Sequence, residues 1–383
     1  MGCSWLSINT TTNDMVHVNV FDNLDEPLLL TWNGIQQRLN SWQDGVSGTN
    51  CPIEPGKNWT YVFQVKDQID SFIYFPFTNF QKAAGGCGPI RVNNRDVILV
   101  VRTLTQRKSV VGSCGGVLDG ALMNGKGPYG HPEYLKSYES FNTYRFSISN
   151  VGTTLSYNLR IQNHEMMLVE TEGSYTNQIT LDSLDVHVGQ YYSVLVAADQ
   201  NEEDYYIVAS PKLINNTPLK LANYFCNGLS VYQLNAFPTH SVNGVTAYGV
   251  SVVSVIHKRW LEIVFMNDLD VMDSWHLDSF GFFVWTRALR STYNLLDPVV
   301  RYTIQVYPKG WSAVYVYLDN IGMWNSRSQH LKNWNMGQEF YIRVYDNSSN
   351  PAKERPPPEN LLLCGIFNDS IFAPAPAPQL GWC

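Results

Sequence analysis

The chain has 383 residues, of which 44% are hydrophobic and 15% are charged, and its formal net charge is −7. This composition predicts a globular protein with two or three domains, because disordered chains are poorer in apolar residues. The sequence contains no run of Lys or Arg, so nucleic acid is not an expected partner. It also lacks an apolar run of the roughly 20 residues that a transmembrane span requires.

Cysteines and glycosylation sequons together favour an oxidising, secretory compartment. The seven cysteines include no C-x-x-C pair, which argues against a thiolate zinc site. Residues 1–20 contain no charged region followed by an apolar one, so no signal peptide is expected in this chain. Five N-x-S/T sequons predict glycosylation, at Asn9, Asn58, Asn215, Asn347 and Asn368.

The first third of the chain is rich in strand signals, whereas helical periodicity is scarce. Strands are predicted at residues 15–21, 59–65, 71–77 and 96–101. Pro76 interrupts the third of these, which predicts an edge strand or a bend, because proline cannot donate a sheet hydrogen bond. A Gly-rich segment at residues 112–127 then marks a domain boundary.

The rest of the chain predicts two further β units with regularly spaced turns, which is typical of sandwiches and barrels. One short helix is predicted at residues 330–336. We therefore expect an all-β fold with three domains. Their predicted bounds are residues 1–113, 114–214 and 215–383, and the third domain ends in a Pro/Ala-rich tail. The predicted strands are 143–149, 155–162, 165–171, 185–198, 204–209, 260–266, 281–286, 299–306, 313–318 and 339–345.

A motif near the start of the chain, Thr31-Trp32-Asn33-Gly34, follows an apolar strand and opens a polar loop. This layout resembles the His-Trp-His-Gly region of blue multicopper oxidases. With the later motifs, the chain resembles the monocopper-oxidase-like branch of plant ascorbate oxidase homologues, which includes pollen proteins. The resemblance implies three cupredoxin-like Greek-key β-barrel domains in a secreted glycoprotein. The later motifs lie at residues 119–128, 159–164, 169–173, 185–190, 274–278 and 318–324.

The chain is shorter than the pattern that this resemblance implies. It is short at the N-terminus, between Arg95 and Gly116, and between Ser210 and Pro218. Strands of the first and third domains are therefore expected to be missing. A truncated gene model and a degenerate locus would both account for this.

The resemblance also implies a blue copper centre, for which a Cys thiolate and two His are the required ligands. Ser328 stands at the thiolate position, with Arg327 and Gln329 on either side of it. Asn333 stands at the next ligand position and Gln338 at the axial one. A serine hydroxyl stays protonated near neutral pH and cannot replace a thiolate, and Arg327 brings a permanent positive charge.

The other copper-binding motifs of the family are also changed. Phe75-Pro76-Phe77 replaces a His-x-His pair, and the His-rich motif of the third domain becomes residues 273–280. His276 is the single residue that matches a family ligand position, and we expect it to be structural. Copper is therefore implied by the resemblance alone, and neither a cofactor nor a catalytic residue is expected.

The resemblance further implies a disulfide between Cys51 and Cys364, which would join the first domain to the end of the third. The odd number of cysteines leaves at least one unpaired or in an intermolecular bond, and Cys3 and Cys383 are the candidates.

Three functions remain open at this point. The first is a copper-free glycoprotein that acts by binding or structure at the cell surface or wall, with wall or surface components as partners. The second is a copper-binding oxidoreductase that oxidises a small substrate with oxygen. The third is a degenerate or truncated product. The sequence does not name a specific partner, because binding surfaces on such domains lie in loops.

Overall fold

The computed structural model describes residues 6–47, 49–78, 80–93, 107–111, 143–212, 251–285, 297–346 and 353–364. The all-β prediction is confirmed: these residues form 23 strands, a 3-10 helix at Ser41–Gln43 and α1 at Leu331–Asn335. Within the same ranges, no helix is long and apolar enough to cross a membrane. The strands group into three units, each with its own buried core.

The first unit packs a four-stranded sheet, in the order β1-β6-β5-β3, against the ribbon β2-β4. Apolar side chains alternate along β4, so that Tyr61 and Phe63 face the core and meet Trp32 of β3. The rings of Trp32 and Tyr61 lie edge to face at 5.0 Å, which is a favourable aromatic geometry. The strands are β1 Ile8–Thr11, β2 Met15–Phe21, β3 Leu30–Asn33, β4 Asn58–Gln64, β5 Asp70–Pro76 and β6 Gly88–Asn93.

The interpretation of Pro76 as a sign of an edge strand was wrong. Strand β5 lies inside its sheet, between β6 and β3. Pro76 is the last residue of β5 and stands opposite Leu30. The next residue, Phe77, donates its backbone N–H to the carbonyl of Leu29. The missing donor of proline therefore interrupts the ladder only at its end.

The second unit consists of a five-stranded sheet, in the order β11-β10-β13-β8-β7, and a three-stranded sheet, in the order β12-β9-β14. Valines and aromatic residues from both sheets form its core. The strands are β7 Arg107–Val111, β8 Thr143–Ser149, β9 Ser156–Ile161, β10 Met166–Thr171, β11 Ser174–Leu181, β12 Leu184–Val186, β13 Tyr191–Ala197 and β14 Ile207–Lys212.

The third unit packs the sheet β15-β23-β22-β17-β20 against the sheet β16-β21-β18-β19. Trp324 is fully buried between them and donates its indole N–H to the carbonyl of Asn320 at 3.0 Å. The strands are β15 Val252–Ile256, β16 Trp260–Asn267, β17 Asp273–Leu277, β18 Phe282–Trp285, β19 Val300–Arg301, β20 Thr303–Val306, β21 Gly310–Tyr317, β22 Gly322–Ser328 and β23 Glu339–Tyr345.

Two long predicted strands are each divided in the structure. The strand predicted at 185–198 is broken by a turn at Gly189, whose φ of 82° favours glycine. The strand predicted at 299–306 is divided at Tyr302. The predicted strand at 96–101 and the predicted domain boundaries at 113/114 and 214/215 lie outside the described residues.

One turn of the second unit contacts both other units. Glu172 follows β10, and its Oε2 accepts the backbone N–H groups of Tyr302 at 2.5 Å and Thr303 at 2.8 Å. The next residue, Gly173, donates its N–H to Oδ2 of Asp70 at 3.0 Å. Two neighbouring residues thus tie the second unit to the third and to the first.

Burial changes the acidity of this contact. It raises the pKa of Glu172 to about 7, although Arg301 and the two backbone donors oppose the shift. The guanidinium Nε of Arg301 lies 3.5 Å from Oε1 of Glu172. The contact between units therefore includes a carboxyl group that titrates near neutral pH.

Candidate functional site

The loop after β3 brings side chains of the first unit to the junction with the third. Strand β3 ends at Asn33, which is fully buried. Gly34 follows with a φ of 88°, and a Cβ atom there would lie 2.2 Å from the hydroxyl of Tyr191. Glycine is therefore required at this turn, both for its backbone conformation and for the close approach of the second unit.

The third unit contributes a buried arginine to the same place. Strands β17 and β22 are antiparallel neighbours, with His276 opposite Arg327. The Nη1 atom of Arg327 donates to Oδ2 of Asp278 at 2.5 Å and to Oδ1 of Asn325 at 3.0 Å. Its Nη2 atom lies 3.5 Å from Oδ1 of Asn33. The guanidinium group therefore lies between the first and third units.

Aromatic rings surround the charge of Arg327. Its Cζ atom lies 5.9 Å from the ring centre of Phe75, 5.3 Å from that of Phe77 and 5.5 Å from that of Trp334. Cations are attracted to aromatic faces at such distances, more strongly where water is excluded. The Phe75-Pro76-Phe77 segment, which replaces a His-x-His pair of the family, thus packs against Arg327, and its rings offer no metal ligand.

His276 is part of the same buried network, which here is called the arginine cluster: Arg327, Asp278, His276 and Asp44. Its Nε2 atom lies 3.0 Å from Oδ1 of Asp278, and its Nδ1 atom lies 3.1 Å from Oγ1 of Thr303. Burial lowers the pKa of His276, although the bond with Asp278 opposes the shift. Both ring nitrogens therefore have protein partners.

The two carboxyl groups of the arginine cluster have opposite electrostatic environments. Burial, followed by the nearby charge of Asp278, raises the pKa of Asp44 well above its usual value. Burial would also raise the pKa of Asp278, but the charge of Arg327 and the bond from His276 outweigh it and hold that pKa below its usual value. A protonated Asp44 beside an ionised Asp278 balances the single positive charge of Arg327.

A second group of side chains lies next to Arg327 on β22 and is called the serine triad: Asp273, Ser328 and Asn333. Ser328 donates its hydroxyl to Oδ1 of Asp273 at 2.6 Å. Asn333 donates its amide to Oδ2 of Asp273 at 3.2 Å. The backbone N–H of Ser328 also donates to the carbonyl of Gln338 at 3.0 Å. Ser328, Asn333 and Gln338, which the resemblance places at the ligand positions of one copper centre, thus lie together in the fold.

The remaining predicted site residues are placed as follows. Cys51 and Cys364 form a disulfide, with their Cα atoms 5.7 Å apart and 313 residues between them in sequence. Cys87 is also disulfide-bonded. Asn9 and Asn58 are exposed, as a glycosylation site must be. Cys3, Cys383 and the sequons at Asn215, Asn347 and Asn368 lie outside the described residues.

Asp44 is the member of these clusters that sequence reasoning missed. It lies at the end of the 3-10 helix at Ser41–Gln43, in a polar loop, and its side chain is fully buried. The available signal was Gly45, which follows it with a φ of 74°. A Cβ atom at Gly45 would lie 1.6 Å from the carbonyl oxygen of Leu30, so the loop must pass close to β3.

Three two-sheet β units, with a polar site between the first and the third, define the architecture of a multicopper oxidase. Family models described as multicopper oxidase match residues 4–97, 97–233 and 217–350. The chain belongs to the multicopper oxidase family. It is 37% identical to the monocopper oxidase-like protein SKU5 of Arabidopsis thaliana, over 94% of this chain and 84% of that protein. It is 36% identical to an L-ascorbate oxidase homolog of Brassica napus, over 95% of this chain and 88% of that protein.

Solved structures show the same fold at low sequence identity. Fet3p, a multicopper oxidase that functions in iron import, superposes with a TM-score of 0.72 at 17% identity, covering 89% of this chain and 84% of that one. A laccase from Botrytis aclada superposes with a TM-score of 0.69 at 19% identity, covering 88% and 82%. These structures confirm the predicted cupredoxin-like fold.

The comparison with SKU5 also confirms that the chain is shortened. The aligned region extends over 497 residues, which is more than the 383 residues of this chain. The relative therefore has internal segments without a counterpart here.

Proposed function

We propose that this chain is a copper-free member of the multicopper oxidase family that acts by binding or by a structural role at the cell surface or wall. The observation that carries the proposal is the position of the buried Arg327 guanidinium between the first and third units. The family fold and the donor chemistry of two buried clusters both support it.

The serine triad does not fit a blue copper ion. Such an ion requires a thiolate and two imidazoles in a trigonal arrangement. Ser328, Asp273 and Asn333 instead supply a hydroxyl, a carboxylate and an amide, and their polar atoms are hydrogen-bonded to one another. None of these groups is a thiolate or an imidazole. The triad is therefore a self-sufficient polar contact between β17, β22 and α1.

The arginine cluster does not fit further copper ions. Its positive charge is permanent, because an arginine cannot be deprotonated in a protein. The imidazole of His276 makes hydrogen bonds through both nitrogens, so it offers no free lone pair without rearrangement. Among the described residues, no group of three or more His, Cys, Asp or Glu side chains is arranged to hold a metal ion. We infer that the cluster instead joins the units through the contact of Arg327 with Asn33 and its packing against Phe75 and Phe77.

An extracellular location is part of the proposal. It is supported by the exposed sequons at Asn9 and Asn58 and by the Cys51–Cys364 disulfide, which suits an oxidising compartment. Wall or cell-surface components are the proposed partners. The fold gives such a protein a rigid, disulfide-closed scaffold on which exposed loops and clefts can bind.

The proposal is tested by measuring copper per chain on the full-length secreted protein, after copper supply and dialysis, together with visible absorption and oxygen uptake with a reducing substrate. We expect copper well below one ion per chain, no intense blue band and no oxygen uptake. A cooperative thermal transition on the same sample is expected of a folded binding protein. Its absence would overturn the proposal in favour of a degenerate product.

Two single variants separate a specific copper site from surface binding. His276→Ala removes the residue at the family ligand position, and His164→Ala removes a histidine of the second unit that lies outside both clusters. Stoichiometric copper that is lost in His276→Ala would overturn the proposal and favour the oxidoreductase. Copper that is lost only in His164→Ala is bound at the surface and leaves the proposal standing.

A further inference from the structure

A cleft of about 310 Å³ opens where the three units meet. The loop after β3, the turn after β10 and the strands β18 and β21 all contribute to it. Its volume falls at the lower end of the range of about 300–1,000 Å³ for small-ligand sites, which often lie between domains. The residues used below are Gln36, Arg38, Gln68, Phe283, Tyr302 and Tyr317.

One wall of the cleft is aromatic and continues onto the surface. Tyr317 and Phe283 line the cleft, and the neighbouring Trp260 is 58% exposed. The ring of Trp260 lies 5.1 Å from that of Tyr317 and 5.5 Å from that of Phe283. Three adjoining rings thus present a broad apolar surface to solvent beside a polar cavity. Aromatic rings with one polar end are favoured at binding surfaces because they pack and hydrogen-bond at once.

The lining also contains amide and hydroxyl groups in fixed positions. Gln36 donates its side-chain amide to the Tyr302 hydroxyl at 2.7 Å and accepts from the Arg38 Nε atom at 2.9 Å. Gln68 accepts the backbone N–H of Gln36 at 2.9 Å and donates to the carbonyl of Gly34 at 2.7 Å. These side chains are held by the protein before any ligand arrives, so binding costs them little conformational entropy.

The charges that line the cleft balance one another. Arg38 pairs with Asp319 at 2.7 Å, Asp67 pairs with Lys66 at 2.8 Å, and Glu172 lies 3.5 Å from Arg301. Each charged residue that lines the cleft therefore has a partner of opposite sign. An ionic ligand would have to compete with these pairs, whereas a neutral ligand with many hydroxyl groups would not.

We propose that this cleft binds a neutral oligosaccharide. A pyranose ring has an apolar C–H face, which would stack on Tyr317 and Phe283, and a rim of hydroxyl groups, which would hydrogen-bond to Gln36, Gln68 and Arg38. Trp260 extends the stacking surface to a second sugar unit outside the cleft. The proposal gives a ligand class to the binding role proposed above and rests on that role, but it does not depend on the copper assignment.

The test is calorimetric titration of the full-length protein with three neutral hexasaccharides, namely cellohexaose, xylohexaose and maltohexaose, and with trigalacturonic acid and glucose. At least one neutral hexasaccharide is expected to bind with a micromolar to low millimolar dissociation constant and more tightly than glucose. Trigalacturonic acid is expected not to bind. Absence of binding by all three hexasaccharides, or tighter binding of the acid, would overturn the proposal.

Variants locate the site. Tyr317→Ala and Trp260→Ala are each expected to weaken binding at least about fivefold, as loss of an aromatic stacking contact does. Tyr317→Phe keeps the ring and is expected to bind as the wild type does. Tyr175→Ala removes a tyrosine of the second unit that is 77% exposed, and it is the matched control. Equal binding by all four variants would overturn the proposed site.

The outcome is separable from that of the copper measurement. If the protein is copper-free and binds none of the saccharides, the copper-free proposal stands and the oligosaccharide proposal fails. If the protein contains stoichiometric copper and binds cellohexaose through Tyr317, the copper-free proposal fails and the oligosaccharide site stands.

Discussion

The guanidinium of Arg327 lies 2.5 Å from the carboxylate of Asp278, and neither side chain is more than 1% exposed. Arg327 is held on β22 and Asp278 follows β17, so the pair depends on the register of two strands of one sheet. Buried pairs of this kind contribute little net stability relative to an apolar pair, yet breaking one by removing a single partner is costly. The cost of removing one partner and the cost of removing both charges can be measured separately in this protein.

Arg327→Met leaves the charge of Asp278 buried without its partner. We expect the free energy of unfolding to fall by about 3–5 kcal/mol, as is found for broken buried ion pairs. Arg343→Met on the adjacent strand is the control, because that arginine is exposed, and a change within about 0.5 kcal/mol is expected there. Urea denaturation of the two variants gives both values.

The double variant Arg327→Met/Asp278→Asn tests the electrostatic origin of that loss. It removes both charges and leaves an acceptor for His276, so we expect it to be more stable than Arg327→Met alone. A double variant that is no more stable than Arg327→Met would show that lost packing of the arginine against Phe75 and Phe77, and not the unpaired charge, causes the destabilisation.

The serine triad predicts a gain of function. Asp273, Ser328 and Asn333 converge within hydrogen-bond distance, which is the convergence that a trigonal His₂Cys site requires. The variant Asp273→His/Ser328→Cys/Asn333→His is therefore expected to bind one copper ion and to show an intense blue absorption. The same variant with Ser328 retained lacks the thiolate, and it should stay colourless. A colourless triple variant that remains folded would show that the three positions do not converge as described.

Sequence reasoning located most of the site, because the residues at the family ligand positions kept their places in the fold. Ser328 and Asn333 could be placed from the motif that precedes them in the chain. Asp44 could not, because its importance comes from burial beside Asp278, and that contact is made between units. Its loop has no periodic pattern that reveals which side faces inwards.

Two of the strands that sequence reasoning missed, β17 and β22, have a common physical cause. Strands β17 and β22, with the sequences DSWHL and GMWNSRS, contain several polar residues that are fully buried. Alternation of apolar and polar residues indicates a strand only where one face meets water. Here both faces lie against protein, and the polar residues are satisfied by the arginine cluster and the serine triad. Strands β17 and β22 therefore lack the apolar–polar alternation by which a strand is recognised in a sequence.

The disulfide between Cys51 and Cys364 closes a loop with a sequence separation of 313 residues. Cys51→Ser/Cys364→Ser is expected to destabilise the protein by about 2–5 kcal/mol, because the bond restricts the unfolded chain. The control is Ser7→Ala, which changes an exposed serine near the N-terminus. Unchanged urea midpoints for the cysteine variant would show that the bond contributes nothing to the stability of this protein.

Glu172 predicts a pH dependence of stability. Its pKa is raised by burial from an ordinary 4.5 to about 7. The folded chain therefore holds a proton at Glu172 over a pH range in which the unfolded chain has lost it. The stabilising effect is fully present below pH 4.5 and is lost as the pH rises through 7. Glu172→Gln mimics the protonated form, keeps an acceptor for Tyr302 and Thr303, and removes this dependence.

The measurement is the difference in unfolding free energy between Glu172→Gln and the wild type, taken by urea denaturation at several pH values. A shift from 4.5 to about 7 corresponds to a rise of up to about 3 kcal/mol in that difference over this interval. The difference is needed because a second group titrates in the same range. Burial lowers the pKa of His187 to about 4, so the contribution of His187 to stability rises between pH 4 and 6.5. In the wild type this rise partly cancels the loss of stability caused by Glu172, but it is common to both proteins and drops out of the difference. Glu165→Gln removes an exposed carboxylate of the same unit and should give a flat difference. A flat difference for Glu172→Gln as well would mean that Glu172 is ionised in the folded protein, held so by Arg301 and the two backbone donors.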